Sequence, residues 1–81
     1  MVIVLTKGNY MNWDEVRAKW MLFKGSVKQE WGKFTDDDLD YIAGTRDRLI
    51  GRLEEKYGMP KEEAERRADR WLITQQNPTR P

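Results

Sequence analysis

Apolar side chains recur at Trp13, Val16, Trp20, Phe23, Val27 and Trp31, in steps of three and four, through a stretch whose other positions are mostly polar. That spacing returns to one face of a 3.6-residue repeat and predicts an amphipathic helix over 13–31 with a single buried stripe. Asn12 stands just before the stripe with Glu15 three residues on, the arrangement of a capping box. Asp14 and Glu15 lie at the positive end of the helix dipole. Gly25 interrupts the run at about 1 kcal/mol relative to Ala, which suggests that a neighbouring helix crosses closely there. Gly32 closes the helix.

The polar and apolar pattern then resets. Thr35 caps a short helix over 36–43, with Asp38 in the carboxylate position of a second capping box and Leu39, Ile42 and Ala43 facing inward. Gly44-Thr45 reads as a stop and a fresh cap before a helix over 46–57, whose stripe is Leu49, Ile50, Leu53 and Tyr57. The series 39, 42, 46, 49, 53, 57 also keeps helical phase across Gly44, so one kinked helix is the competing reading. Gly58 and Pro60 punctuate the chain again, a C-terminal stop and a first-turn residue. The last helix is expected over 60–72, with Ala64, Ala68, Trp71 and Leu72 inward and close packing at the alanines. Gly51 is read, like Gly25, as a crossing point. The expected core is Val16, Trp20, Phe23, Val27, Trp31, Leu39, Ile42, Leu49, Leu53, Tyr57, Ala68 and Trp71.

The two ends fall outside this pattern. Residues 1–11 form an appended or flexible segment: Val2-Ile3-Val4-Leu5 is strand-like but has no second strand, and Gly8-Asn9 breaks it. It reads either as an ordered arm or, the preferred reading, as an appendage from an upstream start, with Met11 the usual first residue. The helical domain spans 12–72. Residues 73–81, with two prolines and no periodicity, read as a flexible tail.

Composition narrows the function classes. Eighty-one residues make one small domain, near the size at which a single core just suffices. Fifteen basic and 14 acidic residues leave a net charge of +1, and nine aromatics supply much of the buriable surface. There is no Cys and no His, which removes thiolate chemistry and the commonest general base and metal ligand. The apolar start is too short for a membrane span or a secretory signal, so a cytoplasmic protein without membrane contact, monomeric by default, is expected.

Trp20, Phe23-Lys24-Gly25, Val27-Lys28, Trp31-Gly32-Lys33 and Thr35-Asp36-Asp37-Asp38 resemble the bacterial CsbD-like proteins. So do Gly44, Arg46-Asp47, Leu49, Gly51, Tyr57-Gly58, Ala64-Glu65 and Trp71. The resemblance spans about Met11 to Trp71; only Met59-Pro60 departs, being less polar than the family pattern. It implies an all-α fold, a small four-helix domain of two crossed helical hairpins similar to SAM domains. It also implies an abundant protein of general stress or stationary phase. It supplies no catalytic residue and no cofactor.

Candidate chemistry in the residues themselves is sparse. Asp36, Asp37, Asp38 and Asp40 are dense in charge, but neighbours on a helix point about 100° apart and cannot easily surround one cation; their reading is dipole compensation. Arg48, Arg52 and Lys56, spaced by four, line one helical face that is a candidate for nucleic-acid phosphates. Arg17, Lys24 and Lys28 form a second basic line. Glu62–Arg66 and Glu63–Arg67 pair along their own helix. Trp20, Phe23 and Trp31 are read as core rather than as a stacking platform for bases, with Trp13, at the helix end, the exception. Met21 and Leu22 lie off the stripe and, if exposed, mark a surface for a protein partner. Ser26 has no His to activate it. The expectation is a non-enzymatic stress-response protein acting through protein contacts or general protection, with a nucleic-acid-binding module as the alternative.

Overall fold

A computed structural model describes residues 12–76, whose regular structure is all helix, with no strand among them. Five helices follow in order: α1 Trp13–Ala18, α2 Trp20–Glu30, α3 Asp36–Ile42, α4 Arg46–Tyr57 and α5 Lys61–Gln76. Residues 1–11 and 77–81, on which the reading of an appended start and most of the tail rested, lie outside the described residues.

The single helix expected over 13–31 is broken at Lys19, where φ is −117° and ψ 35°. The break leaves almost no trace in the pattern because a single residue, Lys19, joins the two helices and the apolar stripe resumes at Trp20. Lys19 N donates to the Glu15 carbonyl, and Leu22 N and Phe23 N both donate to the Lys19 carbonyl. Neither Gly nor Pro sits at the bend. It coincides with a tertiary contact: the α3–α4 turn presses on α1 at Gly44. A Cβ on Gly44 would stand 2.6 Å from Arg17 Cα and 3.0 Å from the Val16 carbonyl oxygen. The close approach therefore falls at Gly44, and not at Gly25 or Gly51, where a Cβ would meet nothing within 4 Å.

Local capping follows the sequence with small departures. Asn12 Oδ1 accepts from Glu15 N at 2.9 Å. Thr35 and Asp38 form the reciprocal box, Asp38 N donating to Thr35 Oγ1 at 3.1 Å and Thr35 N donating to Asp38 Oδ2 at 2.8 Å. Ala43 and Gly44 both take left-handed backbone, φ 45° and 80°, so α3 and α4 are separate helices and the kinked-helix alternative falls. Thr45 occupies the N-cap position of α4 without a side-chain bond. Gly58, φ 67°, ends α4. The Pro60 carbonyl accepts from Ala64 N, and α5 then runs to Gln76 rather than ending near 72.

The core holds Val16, Val27, Trp31, Phe34, Leu39, Ile42, Leu49, Ile50, Leu53, Ala64, Ala68 and Trp71. Trp20, Phe23 and Tyr57, expected inside, are half-buried and pack against its margin. Phe34, Ile50 and Ala64 join it. Phe34 belongs to the α2–α3 loop, where no helical period can flag it. It lies between Trp31 and Tyr57, with ring centroids 6.0 and 6.1 Å away.

Candidate functional site

Two surfaces carry the residues singled out from sequence. The first is formed by α3 and α4. The capping box turns Asp38 inward until it is only 4% exposed, the one charged side chain in the buried set among the described residues. One turn apart on α4, Arg52 and Lys56 then converge on it. Arg52 Nε lies 3.5 Å from Asp38 Oδ1 and Lys56 Nζ 3.0 Å from Oδ2. The Thr35 backbone N–H, acting against the cost of burial and assisted by Lys56, holds the Asp38 carboxyl below the ordinary aspartate range.

Arg52 also pairs with Glu55 and lies 4.3 Å above the Tyr41 ring. Arg48 approaches the same ring at 5.0 Å and donates to the Tyr41 carbonyl. Arg48, Arg52 and Lys56 thus share the face that their spacing predicts, around Tyr41 rather than as three free cations. Beside them is an open depression lined by Tyr41, Gly51, Arg52, Glu54 and Glu55, which mixes both signs of charge. Asp36, Asp37 and Asp40 remain exposed and do not join Asp38. Among the described residues, no group of three acidic side chains is placed to hold a metal ion. Asp38's ion pairs were not visible in sequence, because the box already explained that residue and no spacing rule links α3 to α4.

The second surface is the outer face of α1 and α2. Met21 is 81% exposed and Leu22 74%. The opposite face docks on α5. Trp71 stacks on Trp13 at 5.8 Å, meets the edge of Phe23 at 6.1 Å and donates its indole N–H to Ser26 Oγ at 3.0 Å. Ser26 is therefore engaged as an acceptor, and Trp13 and Phe23 as packing surface. Of the second basic line, Arg17 lies 3.7 Å from Asp14. Lys28 caps the C-terminus of α2 by donating to the Gly32 and Phe34 carbonyls. Arg46 and Asp69 form a two-pronged pair at 2.9 and 3.0 Å that ties α4 to α5. Their mutual hydrogen bonds raise the Arg46 pKa and lower that of Asp69.

The family model described as CsbD-like matches residues 14–66, which takes in both surfaces. The chain belongs to the CsbD-like family. Relatives named UPF0337 bear this out. The YjbJ protein of Escherichia coli O6:H1 (strain CFT073) is 51% identical over 61 residues, covering 75% of this chain and 88% of its own. The ECA0631 protein of Pectobacterium atrosepticum is 51% identical over the same shares. The RPA4217 protein of Rhodopseudomonas palustris is 50% identical over 64 residues, 79% of this chain and 97% of its own. CsbD-like proteins are associated with the general stress response. No helix among the described residues is long and apolar enough to cross a membrane.

Proposed function

We propose that this CsbD-like chain is a non-enzymatic stress-response protein of the cytoplasm that works by touching other proteins through the α2 face around Met21 and Leu22. The observation that carries the reading is the exposure of two adjacent large apolar side chains on α2. Single exposed apolar residues are ordinary, whereas contiguous ones mark contact surfaces. The lack of His and Cys supports the non-enzymatic part. Each helix packs on the next along the chain, and a SAM-like arrangement of two crossed hairpins is part of the same proposal.

The test is protection of an unrelated enzyme against aggregation on heating or drying, comparing the parent with a Met21→Ser/Leu22→Ser double variant. The parent is expected to protect and the variant to lose most of that protection while melting at the same temperature. Equal protection by both would remove the α2 face from the function. For the nucleic-acid alternative through Arg48, Arg52 and Lys56, two of the three cations are already paired with Asp38. A tryptophan-fluorescence titration with duplex and single-stranded nucleic acid decides it. Saturable binding that weakens steeply with salt would displace the protein-contact reading.

A further inference from the structure

Met21 is 81% exposed, whereas Met59 is partly buried against the core. The difference has a local cause. A helical side chain leans back over the turn before it, so residue i+4 covers residue i. Four positions after Met21, within the same helix α2, stands Gly25. It has no side chain, and nothing lies within 4 Å of where its Cβ would be. The Met21 thioether is therefore left in water on that side.

Sulfur is the ready target of mild oxidants in proteins. The chain has no cysteine, so no thiol competes for them. A thiol must lose its proton before it reacts, but a thioether has none to lose and needs no base. That suits a chain without His.

We propose that Met21 is a modification site, oxidised to the sulfoxide by hydroperoxides ahead of Met59, and that oxidation weakens the contacts of the α2 face. The inference rests on the contact reading above and adds its regulation. With hydrogen peroxide, a lone pair of Met21 Sδ attacks one oxygen, and the S–O bond forms as the O–O bond breaks. Sulfur gives up two electrons. The departing hydroxide takes the proton of the transferred oxygen and leaves as water. The product is polar where the thioether was apolar, and methionine sulfoxide reductases reverse the step. Half of the exposed apolar pair with Leu22, itself 74% exposed, is thereby lost. The fold is left intact, because Met21 takes no part in the core.

Limited treatment of the full chain with hydrogen peroxide, followed by peptide mass mapping, reads each methionine separately. Met21 sulfoxide is expected to form several-fold faster than Met59 sulfoxide, with the melting temperature unchanged. Gly25→Leu, which places a side chain back over Met21, should slow that step. With peroxide removed, the oxidised chain should lose most of its protection of an unrelated enzyme, and reductase treatment should restore it. Whatever protection Met21→Leu gives, peroxide should leave it as it was. Oxidation of Met59 as fast as Met21 overturns the site. Full protection by a chain oxidised at Met21, beside loss in the Met21→Ser/Leu22→Ser variant, overturns the regulation and leaves the contact reading standing. Equal protection by that variant overturns the contact reading and the regulation with it; preferential oxidation of Met21 then upholds the site alone.

Discussion

Asp38 serves two structures at once. Its carboxylate completes the Thr35 capping box and accepts the Arg52 and Lys56 charges from α4. A carboxylate that takes part in local and tertiary contacts together makes folding sensitive to acid, and the sign follows from linkage. Its folded pKa is lowered, foremost by the Thr35 N–H, so the folded chain holds on to ionised Asp38 more strongly than the unfolded chain does. The resulting stability is fully present above the unfolded aspartate value of about 3.9 and is lost as pH falls through the lower folded value. Asp38→Asn should therefore cost about 1–2 kcal/mol at neutral pH, a hydrogen bond to charged groups discounted for the partly exposed Arg52 and Lys56. Urea melts at pH 7 and near pH 3 check it. The gap between parent and variant should narrow at the lower pH, and a constant gap would mean that the charge of Asp38 is not what stabilises the fold.

At the scale of elements, the two kinds of glycine behave oppositely. Gly44 combines a left-handed φ of 80° with an approach to the α1 backbone that leaves no room for a Cβ. Gly44→Ala should cost about 2–4 kcal/mol, the left-handed penalty of 1–2 kcal/mol plus a forced separation of the α3–α4 turn from α1. Gly51 lies within α4, and a Cβ there meets nothing, so Gly51→Ala should stabilise the fold by up to about 1 kcal/mol. Thermal melts of the two variants should move in opposite directions; a gain from Gly44→Ala would disprove the α1 contact. Helix positions, the Thr35 box and the stops at Gly44 and Gly58 were legible because caps and periodicity are local. The Lys19 bend was not, since the apolar stripe continues through it and neither Gly nor Pro marks it. Assigning close crossings to Gly25 and Gly51 failed for a related reason. Composition marks where a helix can be approached, not whether anything arrives.

Across the whole molecule, periodicity says which side of a helix turns inward but not what it meets there. The stripe carrying Trp13 and Phe23 was legible, as was Trp71 on α5. That Trp71 joins them, and that its indole N–H finds Ser26 forty-five positions earlier, was not. The basic face on α4 was legible, but its acidic partner on α3 was hidden behind a sufficient local explanation. These long-range contacts also decide how the chain unfolds. Its helices are 6 to 16 residues long, within or near the range where isolated helices are marginal in water. Helix content therefore depends on docking, and the first and last helices are held together by Trp71. Trp71→Leu removes the stacking on Trp13, the edge contact with Phe23 and the bond to Ser26, and should cost about 3–5 kcal/mol. If docking carries the helices, thermal unfolding of the parent will superimpose by tryptophan fluorescence and by helical circular dichroism. The variant will then lose both signals together at a lower temperature. Loss of the fluorescence transition with helix content retained would mean that α1 and α2 stand without α5, and that Trp71 trims the surface of the domain rather than closing it.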